Sequence, residues 1–139
     1  VSGRAASPAN KFEAGKRPMS TMTPTMVFNQ SGELTLVTGS PGGSFIPAAV
    51  LRVVSGIIDF NLNIGEATML PRIHKDWPYS GLDHESILSS DISRQLGVMG
   101  HQPESQKTMG STQSIHIKNG INYGYADLRR PGAAVSIQR

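Results

Sequence analysis

The sequence predicts an α+β fold in which antiparallel hairpins pack against helices. Two stretches have the pattern of β-hairpins, and the apolar runs of helical character lie between them. Because the strands are grouped apart from the helices, layers of sheet and helix are favoured over βαβ winding. Two hairpins alone leave unpaired strand edges, so we expect partner strands from elsewhere in the protein.

Both hairpin predictions depend on β-branched runs that flank a turn. In the first, over residues 25–37, the loop Asn29-Gln30-Ser31-Gly32 has a glycine at its end. In the second, over residues 112–125, the turn contains Asn119-Gly120. A short loop that contains glycine is typical of a hairpin, and Asn-Gly is the dipeptide most typical of a two-residue hairpin turn. Both segments are therefore interpreted as pairs of antiparallel strands.

A strongly apolar helix is predicted from about Pro47 to Asn61. Proline suits the first turn of a helix, and few polar residues interrupt the run that follows. A helix that is apolar around most of its circumference is expected to be buried on at least two sides. A second, short helix is predicted over residues 64–70, ended by Pro71.

The segment between the helices and the second hairpin is less regular. Residues 72–82, with Trp77-Pro78 in their middle, are interpreted as irregular. A helix is predicted from Ser86 to Gly97, with glycine as its C-terminal stop. Residues 98–108 are interpreted as a loop with a weak strand, and the tail from Asp127 onward has no predicted element.

Length and composition limit the classes of protein. The 139 residues fit one domain, with a net charge of +3 and no cysteine, which excludes disulfides and thiolate metal sites. The basic residues are scattered and do not alternate with aromatic ones, so no nucleic-acid groove is expected. No apolar run reaches the length of a membrane span. Because the chain opens on Val1 with loop-like residues, we expect it to be a piece of a longer protein.

The turn between the first hairpin and the long helix is the first candidate site. Gly42 and Gly43 lie at a strand-to-helix junction, where backbone N–H groups can approach an anionic atom with no Cβ in the way. The helix dipole adds positive potential at the same place. The pattern indicates a cradle for an oxyanion or a phosphate; a tight turn that needs glycines with positive φ has the same residues.

Two consecutive hydroxyls, Ser20 and Thr21, form the second candidate site. They lie between the basic pair Lys16-Arg17 and Pro24, which frames the start of the first strand. Adjacent hydroxyls can grip a carboxylate, because each hydrogen bond to a charged acceptor contributes about 1.5–3 kcal/mol. An ordinary Ser/Thr-rich strand entrance has the same composition.

The remaining polar clusters are interpreted conservatively. The sequence Leu82-Asp83-His84-Glu85 is interpreted as a solvated helix start. Ser111–Ser114 is either the lining of a site or a capped strand entrance. No G-x-S-x-G or P-loop motif occurs. The four histidines have no metal-ligand spacing, so each is interpreted as a surface or hydrogen-bonding residue: His74, His84, His101 and His116.

Six blocks of the sequence, taken together, resemble a known protein family. In order they closely resemble the C-terminal part of the small subunit of γ-glutamyltranspeptidase, over about residues 15–133. The blocks are Gly-Lys-Arg-Pro-Met-Ser-Thr-Met-Thr-Pro-Thr (15–25), Val-Thr-Gly-Ser-Pro-Gly-Gly-Ser (37–44), Asn-Ile-Gly-Glu-Ala-Thr (63–68), Pro-Arg-Ile-His (71–74), Met-Gly-Ser-Thr-Gln-Ser (109–114) and Tyr-Gly-Tyr-Ala-Asp-Leu-Arg-Arg-Pro-Gly (123–132).

The resemblance implies an N-terminal-nucleophile hydrolase with an αββα sandwich. In this family a zymogen cuts itself and frees a threonine at the new N-terminus of the small subunit. That threonine attacks the γ-carbonyl of glutathione and related γ-glutamyl amides, and the acyl-enzyme passes to water or to an acceptor amino acid or peptide. No cofactor or metal is implied, and the family location is the periplasm or outside the cell in bacteria.

The resemblance also implies roles for individual residues. The N–H groups of Gly42 and Gly43 match the oxyanion hole, and Ser20 and Thr21 match the hydroxyl pair that holds the donor's α-carboxylate. Thr21 stands where the bacterial enzymes usually have serine. The family's usual proline after the aspartate is replaced by Leu128, a change in the tail with no obvious catalytic cost.

The nucleophilic threonine, the acidic residue for the α-amino group and the large subunit's arginine match no position in this sequence. We therefore expect the isolated chain to be inactive. We also expect its ordered form to be completed by the rest of the small subunit, a large subunit or a second copy. The alternatives are a related glutaryl-type acylase, or a non-catalytic binding or assembly module with the same fold.

Overall fold

A computed structural model of the protein describes residues 8–76, 80–106 and 108–136, which form two sheets and three α-helices. The Trp77-Pro78 dipeptide lies outside the described residues. The strands are β1 (Thr25–Phe28), β2 (Leu34–Gly39), β3 (Ile73–His74), β4 (Gly81–Glu85), β5 (Gln102–Gln106), β6 (Gln113–Lys118) and β7 (Ile121–Ala126). The helices are α1 (Ile46–Ile58), α2 (Ile64–Met69) and α3 (Ser90–Val98).

The two predicted hairpins are confirmed, and they pair with each other. The first sheet has the strand order β1-β2-β6-β7 and is antiparallel throughout. In its centre β2 lies against β6, with Val37 opposite Ile115 and Thr38 opposite Ser114. Each hairpin therefore supplies the partner for the other's inner edge. Within the described residues the outer strands β1 and β7 pair on one side only, so the expectation of further strands from elsewhere stays a prediction.

Helices α1 and α2 cover one face of this sheet. Leu36 of β2, Val53 of α1 and Ile64 of α2 meet in a buried core. The prediction that α1 is buried on two sides or more is wrong for the described chain, since Leu51 and Ile58 on its other side are 65% and 55% exposed. Alternation along the strands also leaves Met26, Phe28 and Ile115 exposed on the opposite face of the sheet.

The short helix α2 is confirmed and has a clear local cause. The Asn63 side chain accepts a hydrogen bond from Glu66 N (2.9 Å), and the Glu66 carboxylate accepts one from Asn63 N (2.9 Å). This reciprocal capping box satisfies two donors that the first turn would otherwise leave unpaired. The helix ends at Met69 with Leu70 as its C-cap, directly before Pro71, as expected.

The second sheet corrects three sequence predictions. Its order is β3-β4-β5, and β4 and β5 are parallel and connected through α3, so the chain contains a βαβ unit that the grouping of elements did not predict. Strand β3 and the start of β4 lie in the supposed irregular segment, and the rest of β4 lies where a helix start was expected. Helix α3 begins at Ser90, not Ser86, because Ser89 caps it by accepting from Ile92 N (3.3 Å). The weak strand predicted within residues 98–108 is confirmed as β5.

Candidate functional site

The Gly42-Gly43 turn lies between the end of β2 and the start of α1, as the sequence predicts. Gly42 has φ 142° and Gly43 has φ 59°, conformations that L side chains rarely adopt. A 3₁₀ turn over Gly43–Phe45 then leads directly into the helix. A Cβ on Gly42 would come within 3.0 Å of Gly110 Cα, so the first glycine is needed for close packing as well as for its backbone angles.

The two glycine N–H groups are free to serve a ligand. Within the described residues, neither the Gly42 N–H nor the Gly43 N–H donates a hydrogen bond. Both precede the N-terminal end of α1, where the helix dipole contributes positive potential. Free N–H groups at such a position can donate to an anionic oxygen.

The predicted hydroxyl pair lies against the same turn. The Thr21 hydroxyl donates to the Gly43 carbonyl oxygen at 2.7 Å, across 22 residues of sequence. The Ser20 hydroxyl accepts from Met22 N at 3.1 Å, which leaves its own proton available to a ligand. Ser20 is exposed and Thr21 is half-buried. The structure thus brings all four predicted site residues together.

A third segment, Met109–Thr112, lies behind the glycine turn. Ser40, just before the turn, accepts from Ser111 N at 2.9 Å and donates to the Pro41 carbonyl at 2.7 Å. Two residues before Ser40, the buried hydroxyl of Thr38 lies 2.8 Å from that of Ser114. Of the two interpretations of Ser111–Ser114, these contacts favour the capped strand entrance over the lining of a site, since the hydroxyls are used internally.

Four charged side chains form a buried network next to the Met109–Thr112 segment. The Arg129 guanidinium binds the Glu85 carboxylate with two bonds of 2.6 Å, and Arg72 binds Asp127 at 2.6 Å. None of these side chains is more than 6% exposed. Glu85 was interpreted as part of a solvated helix start, which is wrong: it is 2% exposed on β4 and faces two arginines.

The network holds both ends of the Met109–Thr112 segment. Arg72 donates to the Met109 carbonyl at 2.6 Å, and Glu85 accepts from Met109 N at 2.9 Å. At the other end, Asp127 accepts from Thr112 N at 2.8 Å. Because Gly110 packs on Gly42, the network supports the glycine turn through one intervening segment.

The network was not predicted because its members lie far apart in the sequence. Two of the six blocks contain three of them: Pro-Arg-Ile-His carries Arg72, and Tyr-Gly-Tyr-Ala-Asp-Leu-Arg-Arg-Pro-Gly carries Asp127 and Arg129, whereas Glu85 lies outside the blocks. Leu128 points away from the network and is 72% exposed, in keeping with a substitution that has no catalytic cost.

Both carboxylates of the network have lowered pKa values. Burial alone would raise the pKa of Glu85, but hydrogen bonds from Arg129 and from the Met109 and Arg72 N–H groups outweigh it. Burial likewise opposes the shift at Asp127, where the Arg129 N–H and the Arg72 side chain lower the pKa. At Arg129 burial is outweighed by Glu85 and the pKa is raised, whereas burial and the nearby Arg129 lower the pKa of Arg72.

These shifts predict loss of stability in acid. A carboxylate whose pKa is lower in the folded state contributes stability that is complete above its unfolded pKa, about 4, and is lost as the pH falls through the folded value. The free energy of unfolding of the complete protein should therefore fall below about pH 4. We expect a shallower fall in Glu85→Gln, measured by denaturant titration from pH 7 to pH 2.5. An unchanged slope in this variant would contradict the prediction.

Two histidines that the sequence analysis named, His84 and His116, are not part of the charged network. His84 is buried between Glu85, whose carbonyl is 3.0 Å from its Nδ1, and Ser93, whose hydroxyl is 3.4 Å from its Nε2. Burial and Lys118 lower the pKa of His116, at the far end of the sheet. Within the described part of the chain, no three His, Asp or Glu side chains group as a metal site, and no helix is long and apolar enough to span a membrane.

Comparison with known proteins decides the family. The profile described as gamma-glutamyltranspeptidase matches residues 1–137. The chain belongs to the γ-glutamyltranspeptidase family. This is a family of enzymes, and it includes the glutathione hydrolase proenzymes of Escherichia coli and Bacillus subtilis. The resemblance inferred from the six blocks is thereby confirmed.

Individual relatives give the extent of the match. The Escherichia coli (strain K12) glutathione hydrolase proenzyme is 42% identical over 130 residues, which are 93% of this chain and 22% of that protein. A mutant of Helicobacter pylori γ-glutamyltranspeptidase is 40% identical with a TM-score of 0.83, over 89% of this chain and 69% of that one. The Pseudomonas nitroreducens γ-glutamyltranspeptidase complexed with L-DON is 30% identical with a TM-score of 0.86, over 95% and 70%.

These structural matches confirm the fold predicted for a γ-glutamyltranspeptidase chain. The mixture of helices and mainly antiparallel strands is α+β, of the N-terminal-nucleophile hydrolase type. The chain nevertheless spans only 22% of the Escherichia coli relative's length.

Proposed function

We propose that this chain is the C-terminal part of the small subunit of a γ-glutamyltranspeptidase. In it the chain would supply the oxyanion hole and the carboxylate clamp for γ-glutamyl transfer and hydrolysis. The observation that carries the proposal is the contact between the two candidate sites: the Thr21 hydroxyl donates to the Gly43 carbonyl, so clamp and glycine turn form one unit. The substrates are glutathione and other γ-glutamyl amides, and the acceptor is water, an amino acid or a peptide.

The glycine turn supplies electrostatic stabilisation in this proposal. Attack on the γ-carbonyl creates a tetrahedral intermediate whose oxygen carries a negative charge. The N–H groups of Gly42 and Gly43 donate to that oxygen, and because they are fixed beforehand they need no reorganisation during the reaction. The attacking threonine and the residue that binds the α-amino group come from the preceding part of the small subunit, and an arginine comes from the large subunit.

The two hydroxyls have different roles in this proposal. Ser20 accepts from Met22 N and can donate its own proton to the donor's α-carboxylate, while Thr21 donates its proton to Gly43 O. Thr21 is thereby held beside the glycine turn, and it binds the carboxylate when its hydroxyl rotates. A γ-glutamyl donor needs both groups at a set separation, since its α-carboxylate and γ-carbonyl belong to one side chain.

Removing the hydroxyls tests the clamp. In the complete protein, Ser20→Ala combined with Thr21→Val should raise the KM for a γ-glutamyl anilide about tenfold or more, because each bond to a charged acceptor contributes about 1.5–3 kcal/mol. A 4-aminobutyryl anilide, which keeps the amino group but lacks the α-carboxylate, should be nearly indifferent to the change. The measurement is the ratio of kcat/KM for the two anilides in wild type and variant.

The outcome of this test also separates the alternatives. Equal losses on both anilides would mean that the hydroxyls are structural. A wild-type preference for a glutaryl anilide, which keeps the carboxylate but has no α-amino group, would favour an acylase. A complete protein inactive on all three anilides would favour a non-catalytic module. The family match favours the γ-glutamyl function. A periplasmic or secreted location is part of the proposal, and so is completion by a large subunit.

A further inference from the structure

The side chains of His74 and Asp76 lie in contact beside the glycine turn, and the proposed chemistry does not use them. His74 Nε2 is 2.8 Å from Asp76 Oδ2, with the side chains 10% and 21% exposed. The two atoms are within ion-pair distance without the alignment of a hydrogen bond. Between them Lys75 is exposed, so the alternation of the chain places the pair on the inner side.

The imidazole of this pair packs against the 3₁₀ turn that contains Gly43. The ring centroids of His74 and Phe45 are 5.0 Å apart with an interplanar angle of 84°, an edge-to-face contact. Phe45 ends that 3₁₀ turn, and its N–H donates to the Gly42 carbonyl at 3.2 Å. A continuous chain of contacts therefore runs from Asp76 through His74 and Phe45 to the backbone of Gly42.

Such a support matters because the turn has little rigidity of its own. Glycine loses more conformational freedom on folding than any other residue, and two glycines in succession have no side chains to pack. Phe45 is the large side chain of the turn, so its ring adds a packing contact to the support from Gly110 and from the Thr21 hydroxyl. Displacing a catalytic group by about 1 Å can cost about 10²-fold in rate.

We propose that His74 and Asp76 are positioning residues for the oxyanion hole, acting through the ring of Phe45. The inference rests on the proposed function of Gly42 and Gly43. The contact with Asp76 holds the imidazole in place, the imidazole packs on Phe45, and Phe45 sets where the two N–H groups point. Neither His74 nor Asp76 contacts the γ-glutamyl group in this scheme.

Kinetics of the complete protein test the scheme with a γ-glutamyl anilide. We expect His74→Leu to lower kcat about 10–100-fold with KM within a factor of two, because the oxyanion forms only in the transition state. Asp76→Asn, which keeps the shape but removes the charge, should lower kcat by a smaller factor. His74→Phe restores an aromatic edge for Phe45 and should recover part of the kcat lost in His74→Leu. Lys75→Gln, whose exposed side chain lies between the two on the other side of the chain, is the matched control and should equal wild type.

A purely structural role would give a different result. It would lower the melting temperature and the amount of active protein while leaving the kcat per titrated active site unchanged, with no recovery in His74→Phe. That result, or wild-type kcat in both His74→Leu and Asp76→Asn, overturns the inference. If His74→Leu does not fold, the test depends on Asp76→Asn alone. A lowered kcat per active site in that variant supports the inference, and a wild-type value overturns it.

A parallel variant separates this inference from the proposed function. Gly43→Pro removes one N–H of the oxyanion hole itself. If Gly43→Pro and the His74 variants all retain wild-type kcat, the oxyanion hole is misassigned and the inference falls with it. If Gly43→Pro loses activity while the His74 and Asp76 variants do not, the proposed function stands and only the positioning role is wrong.

Discussion

Replacing Gly43 with proline is expected to lower the kcat of the complete protein about 10²–10³-fold, with a much smaller change in KM. Proline has no N–H, so the variant loses one of the two donors that we assign to the oxyanion hole. Its ring also holds φ near −65°, whereas Gly43 has φ 59°, so the turn itself must change. The measurement is steady-state kinetics on a γ-glutamyl anilide, with active sites titrated.

Alanine at the same position separates the donor from the backbone strain. A Cβ at Gly43 would meet no atom within 4 Å, so Gly43→Ala keeps the N–H and adds only the cost of a left-handed conformation. That cost is about 1–2 kcal/mol. We expect Gly43→Ala to lose thermal stability but to retain far more kcat than Gly43→Pro. Similar kcat values for the two variants would contradict the assignment of this N–H, and a folded Gly43→Pro near wild-type turnover would refute it outright.

Replacing Arg72 with methionine is expected to destabilise the protein by about 3–5 kcal/mol, the usual cost of leaving a buried charge without its partner. Asp127 is fully buried and 2.6 Å from the Arg72 guanidinium. Without Arg72 it retains only partial compensation from Arg129 and Thr112, and Met109 loses the donor to its carbonyl. Chemical denaturation at pH 7 gives the free energy of unfolding.

The chain provides a matched control for this variant. Arg94 forms an ion pair with Asp91 at the same kind of distance, 2.8 Å, but both side chains are more than 70% exposed. Arg94→Met should therefore change stability by no more than about 0.5 kcal/mol. The double variant Arg72→Met with Asp127→Asn should recover part of the loss, since the uncompensated charge is gone. Equal effects of the two arginine substitutions would mean that the network has no special role.

Local patterns predicted those elements of the fold that have local causes. The two hairpins, the capped helix after Asn63 and the glycine turn were all predictable from short stretches of sequence, because a turn dipeptide, a cap or a glycine pair acts on its own neighbours. The same holds for the four site residues that the structure brings together. The family resemblance added their roles, which no local pattern contains.

The errors have a common physical origin in long-range pairing. Asp83, His84 and Glu85 have the composition of a solvated helix start, yet Glu85 is buried because Arg129 lies 44 residues away in sequence and reaches it in space. The side-by-side arrangement of the two hairpins and the βαβ unit depend on partners at similar separations. A stretch of a dozen residues does not contain these distant partners. Whether a charged side chain in it is buried therefore depends on an element outside the stretch.

The central pairing of β2 with β6 has a consequence for how activity is acquired during folding. Thr38 and Ser114 are 76 residues apart in the chain, whereas each hairpin closes over a handful of residues. Short loops close faster and at a lower entropic cost, so both hairpins and α1 are expected to form before the two halves meet. Gly110 reaches Gly42 only in that later step. In a refolding experiment, ligand binding at the turn should accordingly appear later than secondary structure. Mutations at the β2–β6 pairing should slow the recovery of ligand binding more than the recovery of secondary structure.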